Sequence, residues 1–401
     1  MPSLPKLGII CDDPPVNETV IAHGMCRVNA RLIRALSHSI TQVATATYSN
    51  GYRYQDLIPD IQDRYISTEF PRLLQKGLGR FLPQIRNRSI AFHFKLSYLV
   101  KQLHQTETDW VFCPCGANPT SLERGVKLAQ ASNLPLALYL VDDFLESAIL
   151  SGNQHNLQLA QQQVPQWLEK TEKVFVISPG LRQLLLDRYG IDSVVLPLPY
   201  ELPPAPPAIP SLTDQIIFVG SLSHFYIEGL KQLAALLDQF HQETGTFIAL
   251  RLTTSNSNHA KKVIGNFHCL RCQPCHTPTE LYQEIASSLF CFAPYSFEKK
   301  YEAMVRTSFP SKMMDYLAAS SLIVVYAPAY SSSAQYFNQH NLPLWIDNQA
   351  ALHEVIIEQL QQRQHYGTSY REVVQRYHAL AFIRNTIIGT LSYSLSKDCT
   401  S

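Results

Sequence analysis

Apolar residues in this chain gather in short β-branched runs set between longer stretches of helical spacing, and the alternation occurs in two series. In the first series Leu7–Cys11 reads as a strand, followed by the loop DDPPVNETVIAHG and a helix over about 25–37, with Val28, Leu32, Ile33 and Leu36 on one face. Further strands are expected at 43–48, 109–113, 134–141, 173–177 and 194–196. Helices are expected at 164–171 and over LRQLLLDRYG, where Gly190 is a natural stop. The second series restarts with a strand at 215–219. Strands at 247–252, 288–293, 322–326 and 343–346 follow, with helices over TPTELYQEIASS, Lys312–Ala319, AQYFNQHN and about Leu352–Gln362. Strands alternating with helices predict an α/β class with parallel sheets. Between the series, seven prolines from Pro197 to Pro210 exclude a regular helix or central strand and mark a domain boundary.

Composition narrows the class. The 401 residues suffice for two ordinary domains, 46% are hydrophobic and 16% charged, and the net charge is +1. That balance excludes a whole-chain field for nucleic acid. No apolar run reaches the roughly 18 residues of a membrane span, and the N-terminal run before Cys11 is too short for a signal sequence. A cytoplasmic protein is expected. One local charge pattern qualifies this picture, because residues 70–105 carry Arg72, Lys76, Arg80, Arg86, Arg88, Lys95 and Lys101 with no Asp or Glu. Interleaved with apolar and aromatic residues, such a segment can lie on an anionic membrane at the inner face, or form two surface helices with solvated cations. Nine cysteines without a secretory context read as reduced thiols, so the sequons at Asn17 and Asn87 have no glycan meaning. The stretch HCLRCQPCH offers Cys269, Cys272 and Cys275, with His268 or His276 as a fourth ligand, for zinc; structural thiols are the alternative.

Candidate chemistry concentrates in RTSFPSKMMDYLAASSLIVVYAPAYSSS, residues 306–333. A hydroxyl-rich loop with Arg306 leads through Pro310 into a helix, and a second hydroxyl cluster, Ser331 to Ser333, follows the next strand. A helix N-terminus with nearby Ser and Lys is a ready phosphate site. Lys312 and Asp315, three residues apart, share one helix face. A cation for phosphate beside a carboxylate for ribose hydroxyls suits a nucleotide; the alternative is a weak surface pair worth roughly 0.2–0.5 kcal/mol. Gly220 and Ser221 at the end of a strand allow close approach of a ligand. In the first series the loop with Gly24 suggests a ligand cleft, and Asp142 and Asp143 stand at a strand terminus, where acids serve either chemistry or helix capping.

The run FPSKMMDYLAAS, followed by LIVV and a Pro-Ser loop, resembles the donor-site signature of GT-B glycosyltransferases and is similar to glycosyltransferase family 4. The stretch IIFVGSLSHFYIEGLKQLAALL resembles the opening of a GT-B C-terminal domain. The resemblance implies an α/β chain of two Rossmann-like doubly wound domains facing each other across a cleft. It assigns 1–205 to the acceptor and 206–379 to a nucleotide-sugar donor, with a helix at about 380–401 crossing back. It implies transfer of a sugar to a hydroxyl acceptor, with retention and without metal or cofactor. Lys312, helped by Arg306, would stabilise the leaving diphosphate, and Asp315 would hold the ribose. Gly220, Ser221, Thr307, Ser308, Ser311, Ser331 and Ser332 would line the donor. His23, Gly24, Asp142 and Asp143 would lie on the acceptor side, Asp142 standing where relatives often carry His. The sequence departs from the pattern at Thr307, eight residues before Asp315, where relatives have an acid, and at Ser223, His224 and Phe225, where no Lys-Gly pair follows the glycine. Glu298 and Glu302 stand in the same loop as substitutes. A GT-B protein that binds nucleotide without turnover, or a nucleotide-sugar epimerase, remain alternatives.

Overall fold

The computed structural model describes residues 4–17, 24–46, 52–69, 88–203, 212–254, 256–275, 277–362 and 368–398. His23, residues 70–87 and His276 lie outside them. The chain forms two compact units, one of residues 1–199 with 380–401, the other of residues 200–379.

In the first unit a seven-stranded sheet contains β1 (Leu7–Cys11), β2 (Ile40–Thr45), β3 (Tyr65–Ser67), β4 (Trp110–Cys115), β5 (Leu136–Leu140), β6 (Lys173–Val176) and β7 (Val194–Val195). Its order is β3-β2-β1-β4-β5-β6-β7 and every pairing is parallel. β1, β4 and β5 are buried along their whole length, as expected of a sheet covered on both faces. Gly8 serves that cover: a Cβ there would strike the Leu103 side chain of the helix Arg88–Gln105. Pro114 is tolerated inside β4 because pairing with β1 has ended at Phe112. The helix Leu380–Asp398 packs on the helix Gly24–Leu36, burying Ile383, Ile387 and Leu391 completely.

The second unit repeats the plan with β8 (Thr213–Phe218), β9 (Ala249–Leu252), β10 (Leu270–Cys272), β11 (Ser288–Pro294), β12 (Ile323–Tyr326) and β13 (Trp345–Ile346). The order is β10-β9-β8-β11-β12-β13, again wholly parallel. Both sheets therefore have the Rossmann strand order, with topological switch points between β1 and β4 and between β8 and β11.

Several elements differ from the sequence expectation. The second strand begins at Ile40 rather than 43, because the polar Thr41 and Gln42 are satisfied by Thr108 and by the Arg64 carbonyl. β3, three residues at a sheet edge, carries too little pattern to be predicted, while β10, equally short, falls within the stretch His268–His276 where the GT-B pattern expects a strand and loop before the helix TPTELYQEIASS. Arg306 stands on a helix, Glu302–Thr307, instead of in a loop, since its ion pair with Glu302 has the i,i+4 spacing that supports one.

Candidate functional site

The switch point of the second unit is built from the end of β8 and the helix Lys312–Ala319. Tyr316 on that helix is fully buried and accepts a hydrogen bond from the Val219 N–H at 2.8 Å, which locks helix to loop. Burial pushes the Tyr316 phenol well up, so it stays neutral. The next N–H, of Gly220, donates to the Thr253 hydroxyl at 3.3 Å. Gly220 has φ +116°, and the room left by its missing Cβ is filled by the end of the Lys312 side chain. The half-buried Lys312 ammonium lies 4.6 Å from the ring centroids of both Phe218 and Tyr226. Tyr226 stacks on Tyr295 at 5.5 Å and 23°. Aromatic faces attract a cation by their quadrupole, and the half-buried setting strengthens its charge toward an anionic ligand. Gly220 and Lys312, far apart in sequence, are thus brought together at the place where open α/β sheets bind ligands.

Asp315 is one turn further on, 6% exposed, and accepts a hydrogen bond from the Tyr200 hydroxyl at 3.0 Å. Ser311 precedes the helix as its N-cap residue, and the helix end adds a partial positive charge. Ser308 offers its carbonyl to the hydroxyls of Tyr295, at 2.8 Å, and of Ser332. Ser331 is fully buried and caps the helix Ser332–Gln339 by accepting from the Ala334 N–H at 3.0 Å. The Ser331 and Ser332 hydroxyls thus build the turn itself. Ser221 is exposed, its hydroxyl 3.3 Å from that of Ser223.

The remaining predicted donor residues stand apart from this group. Arg306 pairs with Glu302 at 2.8 Å and lies under the Tyr330 ring at 4.9 Å. Thr307 has no exposed surface, and its hydroxyl donates back to the Ala303 carbonyl at 2.9 Å. Of the substitute acids, Glu302 is engaged by Arg306 and Glu298 by Lys300.

In the first unit Asp142 follows β5 and is half-buried, while Asp143 is buried as the N-cap of the helix Phe144–Ser151. It accepts from the Leu145 N–H at 2.7 Å and pairs with Arg188 at 2.7 Å, so capping is the use the fold makes of it. Gly24 opens the helix Gly24–Leu36. At this unit's own switch point sequence reasoning missed Asp12, which is buried against Arg124 and accepts from Thr120 at 3.3 Å. An acid doublet at the end of β1, like the one after β5, was the available signal.

The cysteine cluster divides among different neighbours. Cys269 faces the Ala234 carbonyl at 3.4 Å, Cys275 lies 3.9 Å from Arg251, and Cys272 ends β10. Among the described residues no group of three His, Cys, Asp or Glu could hold a metal ion. Burial pushes the Cys275 thiol up to about 11, so it is neutral at pH 7.

No protein-family model and no curated protein matches this sequence. Solved structures do match in backbone over nearly the whole length. Anabaena HepE (Alr3699) in complex with UDP and glucose shares 11% identity, with 98% of this chain and 100% of that chain covered and a TM-score of 0.62. The trehalose-6-phosphate synthase OtsA shares 12%, covering 96% and 99%, at 0.58. An alpha-glucosyltransferase in complex with UDP shares 10%, covering 98% and 99%, at 0.56. These likenesses show the fold: two Rossmann-like α/β units as in GT-B glycosyltransferases.

Proposed function

We propose that this chain is a glycosyltransferase of the GT-B type, similar to family 4, which moves a sugar from a nucleoside diphosphate sugar to a hydroxyl acceptor. The observation that carries the reading is Lys312, seated on Phe218 and Tyr226 against Gly220 at the β8/β11 switch point, with Asp315 one turn along the same helix. Departure of a nucleoside diphosphate builds negative charge on its terminal phosphate. A preorganised ammonium and a helix N-terminus stabilise that charge without reorganising at the moment of reaction. Asp315 accepts from the ribose hydroxyls. The acceptor is held by the first unit, with Asp142 and Gly24 on that side. On this reading no metal is needed, since the cation neutralises the leaving group, and the sugar is transferred with retention, as in family 4. That three solved structures of the same fold include complexes with UDP or the name of a sugar-transferring enzyme supports the class.

No helix of the described residues is long and apolar enough to cross a membrane. The acceptor side is proposed to meet an anionic membrane surface from the cytoplasm through the basic segment 70–105. Its helix Arg88–Gln105 exposes Phe94 and Tyr98.

Thr307 and Arg306 favour a second reading, a nucleotide-binding protein without turnover, because the acid expected at the donor sugar is an enclosed threonine and the second cation is paired. Release of nucleoside diphosphate from sugar donors distinguishes the two. A transferase releases it faster by orders of magnitude when a hydroxyl acceptor is present. Donor binding with no release across a panel of glycan, lipid-linked and small-molecule acceptors would leave only the binder.

A further inference from the structure

The helix that carries Lys312 and Asp315 is held by the chain segment that opens the second unit. Tyr200 is the first residue of that unit. Its backbone is fixed by a parallel bridge to Ala379 and by an N–H bond to the His378 carbonyl at 2.8 Å, and its side chain is 5% exposed. From this anchored position its hydroxyl donates to Asp315 Oδ1 at 3.0 Å. Three residues on, the Pro203 carbonyl accepts from Arg371 at 2.7 Å, and the same guanidinium donates to the Ala318 carbonyl at 2.8 Å. The segment 200–203 is therefore tied to the helix twice, once at its acid and once near its C-terminal end.

Resting on the donor reading above, we infer that Tyr200 is a positioning residue that aims the Asp315 carboxylate at the ribose of the bound nucleotide. An aspartate is one methylene shorter than the glutamate that the family 4 pattern places here, so its reach is small and its direction matters. A carboxylate offers about four acceptor positions, so one phenol hydroxyl fixes its orientation without by itself exhausting them. The hydrogen bond from the anchored, buried phenol holds the carboxylate in one rotamer. Binding then finds the carboxylate already placed instead of ordering it on arrival.

The test compares UDP, GDP and ADP with their 2′-deoxy and 2′,3′-dideoxy counterparts by calorimetry on the full chain. Wild type is expected to prefer a ribonucleotide over its dideoxy counterpart by about tenfold or more. In Tyr200→Phe that ratio falls below about threefold, while affinity for the dideoxy compound is kept. In an Asp315→Asn background Tyr200→Phe changes the ratio no further, because it acts through that acid. A purely structural role would weaken both members of each pair alike. Thermal unfolding without nucleotide shows which variants are folded, and Tyr200→Leu gives the same reading if Tyr200→Phe is not. An unchanged ratio in a folded Tyr200 variant overturns this inference alone. Absence of binding by wild type to all three ribonucleotides overturns this inference, and absence of binding to TDP as well overturns the donor reading with it.

Discussion

At the scale of residues, the site depends on where one glycine and one lysine meet. Gly220 holds φ +116°, a backbone region that costs an L side chain on the order of 1–3 kcal/mol, and a Cβ there would occupy the place of the Lys312 ammonium. Gly220→Ala is therefore expected to lower the melting temperature by a few degrees and to weaken nucleoside diphosphate binding at least tenfold, since the lysine must leave its aromatic seat. Thermal unfolding and calorimetry on the same preparation check this; wild-type affinity in a folded Gly220→Ala would contradict the seat. Lys312 and Asp315 were singled out in the sequence because they share one helix face within a run that resembles the family 4 donor signature, spacing alone being equally that of a surface pair. Tyr200 and Thr253 could not, because nothing local links them to positions 315 and 220. The five hydroxyl-bearing candidates in 306–333, Thr307, Ser308, Ser311, Ser331 and Ser332, were legible as a cluster, yet the sequence does not say which hydroxyls face a ligand. Ser331 caps a helix and Thr307 turns back on its own.

Among elements, strands with an unbroken, fully buried apolar run of four or more residues were found within a few positions, as at β5, β11 and β12. Boundaries moved where polar residues were satisfied by distant partners, as at β2. The helix Lys312–Ala319 appeared in full because its apolar face, carrying Met313, Tyr316 and Leu317, is unbroken. The helix Arg88–Gln105 poses a functional question of its own. It buries Phe92, Leu99 and Leu103, while Phe94 is 72% and Tyr98 53% exposed, and Lys101 extends their stripe. Aromatic rings beside cations suit an anionic lipid surface, each cation contributing about 1 kcal/mol. The protein should cosediment with phosphatidylserine vesicles in low salt and be released by high salt, and Phe94→Ser with Tyr98→Ser should abolish this. If vesicles carry down no protein at low salt, the helix is a solvated face.

For the whole molecule, the doubled alternation of strand and helix and the proline run between its halves made an α/β chain of two units legible without any relative. The return of residues 380–401 to the first unit rested on resemblance, because one helix with Ile383, Ile387 and Leu391 on a stripe does not declare which core it joins. The proposed transfer rests on the second unit's switch point, and the most direct measurement is thermal unfolding of wild type and Lys312→Ala with UDP, GDP, ADP and TDP and their sugars. A ligand at about one hundred times its dissociation constant stabilises by about 2.7 kcal/mol, a shift of several degrees in a unit of this size. Wild type is predicted to be stabilised by at least one of these nucleotides and Lys312→Ala to lose most of that shift. Equal stabilisation of both proteins, or none of wild type by any of the nucleotides, would contradict a diphosphate site at Lys312.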